Sequence, residues 1–180
     1  MTISPPFSLQ AWIEEHRDQL KPPVNNQVIF KDNANFIVMC VGGPNARSDF
    51  HVNQSEELFY QLQGRIEVVI MDGGKRRSIL IGPGEMFLLP PAVPHSPRRP
   101  ADSVGLVIEL YREKKIEDGF QWFCEKCDHK LYEEFFHVED IVRQLPPVFT
   151  RYWADEKNSL CSQCGHKHLQ SNKMPVTNPK

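Results

Sequence analysis

Between Gln27 and Arg112 the chain is divided into short runs rich in Val, Ile, Phe and Tyr, and no other feature limits the possible folds as much. The runs are Val28–Phe30, Phe36–Val41, Leu58–Leu62, Ile66–Met71, Ser78–Ile81, Met86–Leu89 and Val104–Tyr111. Turn formers separate them: Asp32-Asn33, Gly42-Gly43-Pro44, Asp72-Gly73-Gly74 and Gly82-Pro83-Gly84. β-Branched and aromatic side chains suit a pleated, half-buried surface, and clusters of Gly, Pro, Asn and Asp end it. Many short strands at this spacing predict a mainly β fold, an antiparallel sandwich or barrel. A jelly-roll barrel leaves room for a ligand between its sheets.

The flanks read differently. Leu9, Trp12, Ile13, His16 and Leu20 recur at helical spacing, with Ser8 as N-cap and Pro22-Pro23 as a stop, which predicts a short amphipathic helix. After Tyr111 the composition shifts. Arg112-Glu113-Lys114-Lys115 reads as a charged connector, and a cysteine-containing tail follows. Val138, Ile141, Val142 and Leu145 suggest one short helix before Pro146-Pro147. The expected division is a barrel with its N-terminal helix over 1–115 and a C-terminal extension over 116–180, frayed from about Gln170.

At 180 residues, 40% hydrophobic and 24% charged, the composition is that of a water-soluble globular domain. A net charge of −2 provides no general attraction to nucleic acid or to an anionic membrane, so neither is an expected partner. The start, Met-Thr-Ile-Ser-Pro-Pro-Phe-Ser, lacks the basic and apolar regions of a secretory signal, and no apolar run approaches a membrane span. The expected compartment is the reducing cytoplasm, where disulfides rarely persist.

Two stretches carry chemistry. Gly43 to Gly64 contains His51 and Glu57, and Gly84 to His95 ends on a second histidine. His51 follows a loop, Glu57 opens the Leu58–Leu62 strand, and His95 follows the Met86–Leu89 strand, so hairpins can return all three to one spot. Two imidazoles and one carboxylate suit a first-row metal such as Fe(II). Three protein ligands leave positions open for substrate and oxygen, whereas a structural site is usually closed by four. In the tail, Cys124-Glu-Lys-Cys127 and Cys161-Ser-Gln-Cys164-Gly165 offer four thiolates for a tetrahedral site of zinc or iron. His129, His166 and His168 read as bystanders, and Cys40 as a buried thiol.

The two stretches resemble the paired motifs of the cupin superfamily. Gly84, Pro90, Ala92 (where the family often has Gly) and His95 match the second motif, while Asp49 stands where many cupins place another histidine. Arg47, His95-Ser-Pro-Arg-Arg99-Pro, Val107-Ile-Glu109 and the cysteine-rich tail together resemble the 3-hydroxyanthranilate 3,4-dioxygenase family from Trp12 to Gly165.

That resemblance implies catalytic Fe(II) on His51, Glu57 and His95, and a small aromatic substrate bearing adjacent carboxylate, amine and hydroxyl groups. Arg47 and Arg99 would hold the carboxylate in bidentate hydrogen bonds. Arg99 is preferred over Arg98 on the resemblance alone; Arg76, Arg77 and Arg98 otherwise read as surface charge. Glu109, in an apolar run, would take a proton or hydrogen bond from the substrate's hydroxyl or amine, and Glu57 would also border the substrate. The alternating pattern puts Glu109 on one face with Val107 and Gly105 without showing whether that face lines a cavity. Asn26 matches a family position near the pocket and reads equally as a turn residue. Ring opening with both atoms of O2 would give 2-amino-3-carboxymuconate semialdehyde, which closes to quinolinate, a precursor of NAD. The resemblance further implies a homodimer and a rubredoxin-like iron in the cysteine site, although thiolates accept iron and zinc alike. The competing readings are another cupin reaction, such as sugar isomerisation, and a cupin ligand sensor.

Overall fold

The computed structural model describes residues 5–22, 25–30, 35–45, 47–139 and 141–169. Pro23, the Asp32-Asn33 turn and the tail from 170 lie outside the described residues. Helix α1 (Leu9–His16) begins at Ser8, whose hydroxyl accepts the Ala11 N–H at 3.3 Å, and it runs into a 3₁₀ turn, Arg17–Leu20. Ile13 and Leu20 are buried against Cys40 and Val104 on the outer face of a sheet. This is the amphipathic helix that the sequence predicts.

The strands are β1 (Asn26–Val28), β2 (Phe36–Gly42), β3 (Phe50–Val52), β4 (Glu57–Gln63), β5 (Ile66–Asp72), β6 (Lys75–Ile81), β7 (Met86–Leu89), β8 (His95–Arg98), β9 (Val104–Leu110), β10 (Asp118–Phe123) and β11 (Lys130–Phe136). They form two antiparallel sheets, ordered β1-β2-β9-β4-β7 and β11-β10-β3-β8-β5-β6. The sheets face each other, as expected for a jelly roll. Alternate residues point inward: Phe59 of β4, Ile66, Val68 and Ile70 of β5, Ile81 of β6, Leu89 of β7 and Val107 of β9 make the apolar core. The β5–β6 hairpin turns on Gly73 and Gly74 at φ +54° and +78°, the doubly positive geometry of a type I′ turn.

Two differences from the sequence reading place the functional residues. His51 and His95 lie on strands of their own, β3 and β8, where the sequence reading has a loop and the stretch after Met86–Leu89. Both strands are short and carry polar residues, so periodicity alone does not reveal them. The second difference concerns the chain after 115: β10 pairs with β3 (Phe120 opposite His51), so the extension supplies two strands to a barrel sheet.

Helix α2 (Ile141–Ala154) also runs through Pro146 and Pro147, where the sequence predicts its end. Each proline removes one helical N–H donor. Val148, Phe149, Tyr152 and Trp153 pack on Phe120 and Trp122 of β10, and that apolar face holds the helix through the gap. A last short turn, α3 (Glu156–Ser159), is capped by the Asp155 carboxylate.

Gly42 closes β2 against the 3₁₀ turn, where an added Cβ would lie 2.0 Å from the Leu20 carbonyl oxygen. Gly42→Ala should force these backbones apart, costing about 1–3 kcal/mol. For a chain of this size the expected fall in melting temperature is about 2–10 °C by differential scanning calorimetry.

Candidate active site and cysteine metal site

Two cross-strand pairs, one from each sheet, build the site. His51 of β3 lies opposite His95 of β8, and Glu57 of β4 lies opposite Glu109 of β9. All four side chains are buried. Donor atoms of His51, Glu57 and His95 lie within 4.8 Å of one another. His51 Nδ1 is 3.3 Å from Glu57 Oε1, and His95 Nε2 is 3.2 Å from Glu57 Oε2. Adjacent donors on an octahedral metal with bonds of about 2.1 Å stand about 3.0 Å apart, close to both contacts that Glu57 makes with the imidazoles.

The remaining ring nitrogens are spoken for, as second-layer partners of metal-bound histidines usually are. His95 Nδ1 contacts the Val93 carbonyl at 3.1 Å, and His51 Nε2 meets Asp118 Oδ2 at 2.6 Å. Burial opposes a charge on the His51 ring, but hydrogen bonds to Asp118 and Glu57 prevail and raise its pKa to about 9. Glu57 moves well below the carboxylate range: burial works against its charge, and the two imidazoles outweigh burial. The cluster therefore favours a positive charge at its centre, the role a divalent cation takes in place of protons.

Two further residues hold the acids in place. Asn53 Nδ2 donates to Glu57 Oε1 at 3.2 Å and to Glu109 Oε2 at 2.8 Å, bridging two carboxylates that would otherwise repel. Arg112 Nη2 donates to Glu109 at 2.7 Å, and its Nε donates to both oxygens of Asp118 at 2.6 and 2.8 Å. Burial and the nearby Glu57 charge raise the Glu109 pKa, with Arg112 pulling against them.

A cavity of about 570 Å³ opens over these groups. Its lining includes Asn26, Arg47, Arg99 and Glu109, with Phe59 and Val107 among the apolar walls. Glu109 therefore faces the interior, which the alternation pattern could not decide. The two arginines differ. Arg47 pairs with Asp49, donating from Nε to Oδ1 at 3.1 Å and from Nη2 to Oδ2. Burial opposes the Arg47 charge, but Asp49 beside it wins and holds its pKa above the ordinary value. Arg99, only 3% exposed, has no acidic partner among the described residues; its side chain reaches Gln61 Oε1 at 3.4 Å. Burial, helped by nearby Arg47, lowers its pKa to about 10, with Cys40 opposing. Arg98 points the other way, 45% exposed and 3.9 Å from Glu67.

The four tail cysteines form the second cluster. No disulfide is present among them, and Sγ–Sγ separations are 3.6 Å for Cys124–Cys164 and 3.5 Å for Cys127–Cys161. A tetrahedral ion with bonds of about 2.3 Å to sulfur has edges of about 3.8 Å, so the four thiolates fit one iron or zinc. The backbone repeats itself around the cluster. Cys124 N–H donates to the His129 carbonyl and Asp128 N–H to the Cys124 carbonyl; Cys161 N–H donates to His166 and Gly165 N–H to Cys161. Asp128 and Gly165 both adopt positive φ, +62° and +70°. Two equivalent knuckles thus present four sulfurs to one centre.

Sequence reasoning missed several of these partners. Asp118, buried completely, lies in the tail that the sequence sets apart from the barrel. Arg112, read as connector charge, is an internal clamp. Arg76, read as surface charge, is 22% exposed; it bonds Asp128 and the carbonyls of Phe123 and Cys124, tying one knuckle to β6. The usable signal was the motif spacing itself: Asn53 lies between His51 and Glu57. Asp49, at the position many cupins give to histidine, stays outside the ligand cluster because Arg47 takes it. Ala92, where cupins often have Gly, holds φ +60° and donates its N–H to the Asn53 carbonyl at 2.7 Å.

A two-sheet antiparallel barrel that turns two imidazoles and a carboxylate into an internal cavity is a cupin-type metal-binding protein. Solved structures with partial likeness include a cupin-2 domain containing protein from Shewanella frigidimarina, with TM-score 0.45 at 18% identity over 58% of this chain and 100% of that one. The chain belongs to the 3-hydroxyanthranilic acid dioxygenase family, whose pattern matches residues 1–153. Curated relatives named 3-hydroxyanthranilate 3,4-dioxygenase are 52% identical in Xanthomonas euvesicatoria pv. vesicatoria (92% of this chain, 93% of the relative) and 46% identical in Paraburkholderia phytofirmans (93% and 97%).

Cys161 is buried and belongs to the cluster that fastens the tail. Cys161→Ser should lower the melting temperature by roughly 5–10 °C, on the scale expected for losing about 2–4 kcal/mol from a domain of this size. Turnover per folded molecule should fall less than twofold; the opposite pattern would give the cluster a part in catalysis.

Proposed function

We propose that this protein is a 3-hydroxyanthranilate 3,4-dioxygenase, a ring-cleaving enzyme that converts 3-hydroxyanthranilate and O2 to 2-amino-3-carboxymuconate semialdehyde. The product closes without an enzyme to quinolinate, a precursor of NAD. Within the site, one observation carries the reading: a buried guanidinium without an acidic partner among the described residues, Arg99, lines the same cavity as the His51–Glu57–His95 cluster. A buried cation without a counter-charge is costly, and an anionic substrate removes that cost.

Iron(II), held by His51, Glu57 and His95, would supply the one-electron chemistry that lets O2 react with an aromatic ring. Arg99 binds the substrate carboxylate, and Arg47, kept straight by Asp49, adds a second fork. Their hold aims the hydroxyl and amine toward the histidine pair and Glu57. Glu109, pinned by Asn53 and Arg112, accepts the hydroxyl proton as the ring becomes electron-rich. Phe59 and Val107 exclude bulk water from the face where the ring opens. Asn26 closes the rim on the β1 side. We assign iron or zinc to the cysteine site, on its four converging thiols, and a homodimer as the assembly and the cytoplasm as the compartment, on the family resemblance.

His51→Ala should retain the far-ultraviolet circular dichroism spectrum while losing stoichiometric catalytic iron and at least 100-fold in turnover, since removing a ligand leaves two. Retained activity would reject the site. Arg99→Ala should raise KM for 3-hydroxyanthranilate about 10–100-fold, the equivalent of 1.5–3 kcal/mol for a charged hydrogen bond. KM for 2-aminophenol, which lacks the carboxylate, should change little. Equal losses for both compounds would remove Arg99 from carboxylate recognition, and O2-independent turnover of either would reject the dioxygenase.

A further inference from the structure

We infer that Asp118 is a positioning residue for the catalytic metal: its carboxylate, delivered by β10, selects which ring nitrogen His51 presents to the cavity. The inference deepens the reading of His51 as a metal ligand and rests on it. A neutral imidazole has one lone pair and one N–H, and a ring turned by half a rotation exchanges the two. Only a partner that fixes the N–H decides which nitrogen is free for a metal.

The two histidines solve this in opposite ways. His95 gives its Nδ1–H to the carbonyl of Val93, two residues away, and turns Nε2 toward Glu57. That hold is local and exists wherever β8 forms. His51 turns Nδ1 toward Glu57 instead, and its Nε2 lies 2.6 Å from an acid 67 residues further along the chain. An ionised carboxylate only accepts hydrogen bonds, so the proton belongs on Nε2 and the lone pair on Nδ1. Asp118 is wholly buried.

Asp118 is itself fixed from both ends of its strand. At the N-terminal end, Arg112 grips both oxygens and reaches on to Glu109. In the middle, Phe120 lies opposite His51 in the sheet and stacks on its ring, centroids 5.3 Å apart and planes inclined by 24°. At the C-terminal end the strand runs directly into Cys124, the first thiolate of the knuckles, with Arg76 holding the carbonyls of Phe123 and Cys124. A single acid is thus placed by the barrel, the arginine clamp and the cysteine cluster together.

The test is cobalt(II) binding to full-length protein whose cysteine site is filled with zinc and whose catalytic site has been stripped. Equilibrium dialysis and the visible cobalt spectrum give the affinity. Asp118→Asn can offer an amide N–H to Nε2 and so favour the wrong tautomer; cobalt affinity should fall 10–100-fold, the range usual for such second-layer partners, with the melting temperature retained. Affinity within about twofold of wild type would overturn the inference. A second measurement needs no substitution at Asp118. In zinc-loaded wild type, the ring ¹⁵N spectrum, with His51 identified by its loss in His51→Ala, should show the His51 proton on Nε2. A proton on Nδ1 would overturn the inference even if Asp118→Asn did not fold. Should wild type take up no cobalt at the stripped site, or His51→Ala bind it as well as wild type, the ligand reading fails rather than the positioning role.

Discussion

Strand register carries this molecule. In an antiparallel sheet a slip of one residue turns every side chain to the opposite face. His51 meets His95 across β3 and β8, Glu57 meets Glu109 across β4 and β9, and the two pairs face one another only in this register. Both registers are fixed away from the site. The inward apolar stripe of Phe59, Val68, Ile70 and Val107 continues the same alternation into the core, so a slip would expose the core and scatter the ligands together.

Burial then makes charge balance the second requirement. Glu57, Glu109 and Asp118 are all shut away from water, and acids so enclosed need compensation. Asn53 separates two of them with one amide, Arg112 joins the other combination with one guanidinium, and the imidazole pair takes up what remains. Asp49 settles Arg47 in the same way. Arg99 is the exception, and the exception lies where a carboxylate ligand would enter.

Much of this was legible in the sequence because it rests on local pattern. Alternating apolar runs and Gly-Gly or Gly-Pro-Gly turns announce a β barrel, and Ser8 with its periodic apolar residues announces α1. The His51–Glu57–His95 spacing and the paired Cys-x-x-Cys units announce two clusters. What stayed hidden depends on contacts distant in sequence. β3 and β8 are too short and too polar to show a period. Arg112 looks like linker charge until β9 and β10 bring Glu109 and Asp118 to it, and Arg76 looks like surface charge until the knuckle folds over it. Pro146-Pro147 looks like a stop because propensity sees the missing donors and not the aromatic face that α2 lays on Trp122. Glu109 was legible as an anomaly, an acid in an apolar run, while its inward direction was not.

The place of β10 in the sheet has a consequence for biosynthesis. A nascent polypeptide that has emerged only through β9 already carries both imidazoles and Glu57, yet β3 has a neighbour on one flank alone. The other flank, and the acid that grips His51, arrive with the following segment. The His51–Glu57–His95 cluster, in the arrangement described here, is therefore completed late on the ribosome, after the strand that leads into the first cysteine has been translated.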